Sequence, residues 1–130
     1  QRQMCIRDRC VFYGDYYGIS GQYAQQDFKE VLDNLLAIRK DLAYGEQTDY
    51  FDDPNCIGWV RSGADNQSPL AVLISNAQEN YKTMFVGPEW ADHTFVDLLG
   101  NHSDQVTINA EGYCDFPVAE CSVSVWGLAY

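Results

Sequence analysis

One stretch sets the terms for the whole chain: Asp41–Gly63, DLAYGEQTDYFDDPNCIGWVRSG. Before it lies a single amphipathic helix pattern. After it, short apolar-alternating runs are broken by turn residues, and the helical period does not return. Gly45 stops the helix, an acidic aromatic loop (Asp49, Tyr50, Phe51, Asp52, Asp53) bridges the gap, and Ile57-Gly58-Trp59-Val60 starts the first clear strand. A change of structural class at one point marks a domain seam. With 130 residues the chain is long enough for one ordinary domain and too short for two large ones.

Upstream of the seam, residues 1–9 (QRQMCIRDR) lack the apolar core of a signal peptide and read as an extraneous or unstructured leader. Cys10-Val11-Phe12-Tyr13 reads as a short buried strand closed by Gly14, followed by a loop rich in glycine and aromatics to Gly21. Asp27 is placed as an N-cap, with Glu30 completing a capping box. Phe28, Val31, Leu32, Leu35, Leu36 and Leu42 then keep to one helical face, Arg39 and Lys40 suit the last turns, and Gly45 supplies a left-handed stop. A buried parallel strand needs neighbours, and each needs its own crossover helix. None is present, so residues 10–44 read as the tail end of a larger α/β domain.

Downstream, strands are expected at Leu70–Ser75, Tyr81–Val86, Thr94–Leu99, Gln105–Asn109, Tyr113–Val118 and Ser122–Trp126. This spacing predicts an antiparallel sandwich over residues 45–130. The Ser/Val alternation at 122–125 predicts one wet face and one buried face.

A formal charge of −11 argues against nucleic-acid and anionic-membrane partners, which this surface would repel, and suits a neutral ligand such as a sugar and plain solubility equally. No apolar run is long enough to span a bilayer. Cys5, Cys10, Cys56, Cys114 and Cys121 form no zinc-site spacing, and their odd number speaks against a disulfide framework; they read as reduced thiols. His93 and His102 stand without a nucleophile near them in sequence. The acidic loop Asp49–Asp53 reads as solvated rather than catalytic.

The segments CVFYGDYYG (10–18), LLAIRKDLAYGEQTDYFDDPNCIGW (35–59), LAVLISN (70–76), MFVG (84–87), LLGNHSDQVTIN (98–109) and SVSVW (122–126) resemble, in order, the C-terminal end of bacterial α-amylases. These belong to glycoside hydrolase family 13, in its liquefying and cytoplasmic-type branch. The resemblance implies that residues 10–14 are the last strand of a (β/α)8 barrel, 27–44 its closing helix, and 45–130 a Greek-key β-sandwich. It implies a parent enzyme cutting internal α-1,4 bonds of starch-like glucans, monomeric when intact, cytoplasmic or alternatively secreted. The family's catalytic carboxylates lie on earlier barrel strands that this chain lacks, so the fragment is expected to be structural and inactive alone.

On the same footing, Asp15, Tyr16 and Tyr17 would follow a barrel strand at its active-site end, where they either contact sugar or buttress neighbouring loops. Relatives with a cation at the barrel–sandwich seam hold it at positions matching the Pro54 carbonyl and the Asn55 and Asn76 side chains. Where those relatives have aspartates, this chain has two asparagines, so a calcium ion is expected in the parent and none in this fragment. Asn55 and Asn76 should nonetheless lie together, with Tyr44 and Trp59 packing at the seam. At Cys114 and Cys121 the family usually has glycine, beside turns or bulges suited to positive φ. The alternative reading is a small β-sandwich carbohydrate-binding module, with an exposed Trp90 and neighbouring tyrosines as its platform and Trp59 and Trp126 in the core.

Overall fold

The computed structural model describes residues 11, 13–22, 24, 26–64 and 67–129. The leader 1–9, Cys10 and Phe12 lie outside these residues. The division into two compact units, Gln1–Ala37 and Ile38–Tyr130, falls inside a helix rather than at Gly45.

The first unit holds α1 (Tyr13–Tyr17) and most of α2 (Lys29–Leu42). Tyr13 was expected at the end of a strand and Asp15–Tyr17 in a loop; all of them instead lie in α1. The reason is hydrogen bonding. The backbone of these residues satisfies itself locally, as in the Gly18 N–H to Gly14 carbonyl bond of 2.9 Å, where a strand would need partners on neighbouring strands. Helix α2 begins one residue later than Asp27 predicts. Phe28 stands at the cap, its carbonyl accepting from Leu32 N–H at 2.9 Å, and its own N–H donates to the Asp15 carbonyl at 2.9 Å. No residue of α2 is buried, and Val31 and Leu36 on its apolar stripe are exposed.

The second unit is a sandwich of antiparallel strands: β1 (Gln47–Asp53), β2 (Cys56–Arg61), β3 (Leu70–Ser75), β4 (Asn80–Phe85), β5 (Thr94–Asp97), β6 (Gln105–Thr107), β7 (Tyr113–Val118) and β8 (Val123–Leu128). Six of them form one sheet in the order β1-β2-β3-β8-β5-β6, and β4 and β7 form a second. The chain leaves the large sheet for β4, returns for β5 and β6, leaves again for β7, and comes back as β8 between β3 and β5. Cys56, Val60, Ala71, Leu73, Met84, Phe95, Phe116, Val118 and Trp126 close the core between the two sheets.

Three expectations change here. The acidic loop at 49–53 is strand β1, paired with β2 from Gln47↔Arg61 to Tyr50↔Gly58 and bulged between Tyr50 and Asp53. Its charges hid it, because edge strands carry charge to discourage further pairing. Ser124 is buried rather than wet, because it shares the inner face of β8 with Trp126 and its hydroxyl donates to the Pro117 carbonyl of the second sheet at 2.9 Å. Trp59 is only half-buried, on the face of β2 opposite Cys56, Gly58 and Val60, whereas Trp126 is fully buried as expected.

The junction after α2 is built from backbone. Gly45 takes φ 80°, as its place after the helix predicts. Gly63 N–H donates to the Tyr44 carbonyl and Ser62 N–H to the Glu46 carbonyl, both at 3.0 Å, and Glu46 N–H donates to Ser62 Oγ at 2.9 Å. Tyr44 is exposed, its hydroxyl donating to the Lys40 carbonyl at 2.8 Å.

Candidate functional site

The first candidate group lies on α1 and the start of α2. Tyr16 donates its hydroxyl to Asp33 Oδ1 at 2.6 Å, Lys29 Nζ holds Asp33 Oδ2 at 2.7 Å, and the ammonium sits 5.2 Å from the Tyr16 ring centroid. The bond to Asp33 raises the Tyr16 pKa, and the bond from Lys29 lowers that of Asp33. Tyr17 stacks edge-on against Tyr16 at 4.6 Å and tilted against Tyr13 at 4.9 Å. The carbonyl of Asp15 is taken by Phe28 N–H. Tyr16 is thus spoken for by a carboxylate, while Tyr17 keeps an exposed ring.

The second group follows from strand register. Cys56 pairs with Ser75 in the β2–β3 ladder, so the residues just beyond that pair, Asn55 and Asn76, abut. Asn76 N–H donates to the Asn55 carbonyl at 3.2 Å. Asn55 N–H donates to Asp53 Oδ1 at 2.8 Å, closing the turn that Pro54 and Asn55 make between β1 and β2. The nearness of the two asparagines is as expected, through a backbone bond rather than an amide contact. The donor set here is one carbonyl and two neutral amides, far short of the six to eight oxygens, several of them anionic, that calcium takes. Among the described residues no cluster of three His, Cys, Asp or Glu side chains could hold a metal. These residues by themselves do not fit calcium.

Other polar groups of the sandwich have structural partners. Lys82 is buried on the inner side of β4 and reaches Asp52 Oδ1 at 2.6 Å, which holds the Asp52 carboxyl below its ordinary range. Asp97 is buried and accepts from the N–H groups of Leu99 (3.0 Å), Val125 (3.1 Å) and His102 (2.9 Å). His93 Nδ1 lies 3.0 Å from the Ala91 carbonyl, and the His102 ring lies 5.7 Å from that of Trp126. Neither Asp97 nor Lys82 stood out in sequence, since a lone charge within a strand pattern does not reveal which backbone groups it will satisfy.

The aromatic residue expected to be exposed is not. Trp90 ends a 3-10 turn (Pro88–Trp90), is half-buried against the core, and meets the His93 ring edge-on at 5.5 Å. Exposed rings occur instead on the outer face of the small sheet: Tyr81 and Phe85 on β4 and Tyr113 on β7. Phe85 pairs with Tyr113 across the ladder, ring centroids 5.0 Å apart and tilted by 56°. An open groove of about 360 Å³ borders Tyr113, lined also by Thr83, Val106, Asn109, Cys114 and Asp115. The signal for this face was present in YKTMF (81–85), where Tyr, Thr and Phe alternate with Lys and Met.

Residues 70–127 match the family model described as Alpha-amylase C-terminal. The chain is 50% identical over 119 residues to the Alpha-amylase of Geobacillus stearothermophilus, a match covering 90% of this chain and 22% of that protein. It is 38% identical over 125 residues to the Cytoplasmic alpha-amylase of Escherichia coli (strain K12), covering 89% of this chain and 25% of that protein. A crystal structure of an Anoxybacillus alpha-amylase shares the fold with a TM-score of 0.61 at 15% identity, over 84% of this chain and 24% of that one. The chain therefore spans less than a third of the length of these relatives.

Proposed function

We propose, from the premise that this chain is a C-terminal segment of a glycoside hydrolase family 13 α-amylase, that the whole protein hydrolyses internal α-1,4 bonds of starch-like glucans. The chain itself serves that enzyme as a non-catalytic part. In that reading residues 10–44 supply the closing unit of its barrel, where residues 13–17 exchange the helix they form in this chain for the end of a strand and a loop beside the barrel's other strands, and the sandwich after Gly45 braces the barrel's flank. The observation that carries this reading is the run of 50% identity to an α-amylase across 90% of the chain. The exposed apolar stripe of α2 supports it, because such a stripe is normally covered by its own domain.

The carboxylates of the sandwich add a second support. A retaining glycosidase needs two carboxyl groups about 5–5.5 Å apart across a sugar site. Here Asp52 is bound to Lys82, Asp53 to the Asn55 N–H, and Asp97 to three backbone donors. These acids hold the fold together. Calcium, where the parent enzyme binds it, is held mainly by residues outside this chain. The parent is read as cytoplasmic, like the Escherichia coli relative, or alternatively secreted, and as a monomer. No helix among the described residues is long and apolar enough to cross a membrane.

The test is a reducing-sugar assay on soluble starch. The purified 130-residue chain should release nothing above background, whereas the open reading frame that contains it, expressed whole, should cut internal bonds. Hydrolysis by the isolated chain, or none by the whole protein, overturns the reading.

A further inference from the structure

We propose that the outer face of the six-stranded sheet, over β2, β3 and β8, is the surface that the upstream part of the whole protein covers. The inference rests on the reading above and names the face by which the sandwich braces the rest of the enzyme. Strand register sets that face. Ile57, Ile74 and Val123 form one row across the three strands, and Trp59, Val72 and Val125 form the next. Their neighbours Cys56, Val60, Ala71, Leu73 and Trp126 point the other way, into the core.

The residues on this face are those of a covered surface. An antiparallel sheet with one side in water alternates apolar and polar residues, whereas a strand covered on both sides reads as an unbroken apolar run. β3 opens LAVLI (70–74), with Ala71 and Leu73 inward and Leu70, Val72 and Ile74 outward. The second sheet follows the first pattern, with Thr83 outward opposite Asp115 while Lys82 and Met84 on either side of Thr83 are buried. On the large sheet, Val72 and Val125 at the middle of the outer face are buried within this chain. Ile57, Trp59 and Val123 are only half-buried, and Ile74 is 38% exposed.

The chain also arrives on this side. Arg61 is the one charged residue that β2, β3 and β8 place outward, in line with Ile57 and Trp59, and its Nη2 donates to the Ala43 carbonyl at 3.1 Å. Gln67 Nε2 donates to the Asp41 carbonyl at 3.4 Å, and Gly63 N–H to that of Tyr44 at 3.0 Å. The carbonyls at the end of α2, which have no partner within a helix, are thus met from the end of β2 and the segment after it. The chain therefore enters the sandwich beside Arg61, on this face. The matches cover 22% and 25% of two relatives, so the bulk of such a protein lies outside this chain. β2, β3 and β8 together make a face of roughly 300 Å². That reaches the lower end of what two domains of one chain bury, about 300 Å² per side. It falls well short of the roughly 800 Å² per side that a second copy or a free partner needs.

The test uses the whole protein that contains this chain, carrying Ile74→Cys, alkylated natively and in urea, with the label located by peptide mass spectrometry. Native alkylation at position 74 should be at least about fiftyfold slower than in urea, as for a thiol reached only through local opening. A smaller reduction, such as a position 38% exposed would show, would overturn the covered face. Because the variant can lose its fold, hydroxyl-radical footprinting of the unmodified whole protein gives a second reading. Trp59 should escape oxidation there as fully as Trp126, which is 0% exposed in this chain. Oxidation of Trp59 well above that of Trp126 would overturn the face, as would protection that appears only when the protein concentration is raised, which would point to a second copy. A whole protein that is labelled freely yet hydrolyses starch keeps the proposed function and loses the face. One that protects Ile74→Cys and Trp59 yet cuts no starch keeps the face and loses the function.

Discussion

Replacing Gly45 by alanine should cost far more than replacing Gly100, although both glycines are left-handed. Gly45 has φ +80° and Gly100 φ +72°, so the conformational cost for an L-residue, roughly 1–2 kcal/mol, is common to both. The surroundings differ. A Cβ on Gly100 would meet nothing within 4 Å. A Cβ on Gly45 would stand 2.0 Å from the Gly63 carbonyl oxygen and 2.3 Å from Ser62 Oγ. A carbonyl on an ordered segment cannot swing aside like a side-chain tip, so the strand ends must separate. That threatens the bonds from Gly63 N–H to Tyr44 and Ser62 N–H to Glu46, and the Glu46–Ser62 Oγ bond, each worth about 1 kcal/mol.

The expected loss is thus about 1–2 kcal/mol for Gly100→Ala and about 3–5 kcal/mol for Gly45→Ala. Urea unfolding followed by tryptophan fluorescence reports both, with the buried Trp126 as the sensor of the core. Equal losses would refute the reasoning, since φ alone would then account for Gly45. A large loss at Gly45 with an altered m-value would mean that the unfolded or native state had changed as well, and the comparison would have to be repeated on Gly21, another open position, at φ +116°.

Asp97→Ala should destabilise the sandwich by roughly 2–4 kcal/mol, because three N–H groups lose their acceptor, while Asp97→Asn should cost less, which thermal unfolding will show. Cys121 takes φ 46°, so Cys121→Gly should be neutral or stabilising by up to about 1 kcal/mol in denaturant melts, whereas Cys114→Gly, within strand β7, should destabilise. The Asp52 carboxyl is held low by Lys82, so its contribution is present above the ordinary carboxylate value and lost as pH falls through the depressed one. The melting temperature of the unmodified chain should accordingly fall more steeply below about pH 4 than that of Asp52→Asn.

Much of the sandwich could be read from the residues because alternation and turn chemistry are local. Leu70–Ser75 and Tyr113–Val118 fall where the pattern puts them, and Gly45 is left-handed as its place after the helix requires. The failures share a cause, which is that burial depends on what lies alongside. β1 looked like a loop since its acids are those of an edge strand, and Ser124 looked wet since nothing local tells that it shares the core face of β8 with Trp126. Tyr13–Tyr17 looked like the end of a strand and a loop, but a strand without neighbours cannot satisfy its backbone. Of the two cysteines where the resemblance implies glycine, only Cys121 has positive φ; Cys114 is a regular strand residue opposite Met84. Its thiol is pushed up to about 11, mainly by burial.

The candidate site was legible to different depths for a similar reason. The nearness of Asn55 and Asn76 was implied by the resemblance alone, and the antiparallel ladder between their strands is the physical reason the flanking residues meet. Which aromatics face solvent could not be read, since Trp90 and Tyr81 both border turns and only the core decides which of them it takes. Trp90 went to the core and Tyr81 stayed out, the smaller ring carrying a hydroxyl that water satisfies. The acidity that first suggested a neutral ligand has a structural use as well. Asp53, Asp97 and the neutral Asn109 each accept backbone N–H groups in turns or between strands. Such acceptors rigidify the loops on which Asn55, His102 and Tyr113 sit.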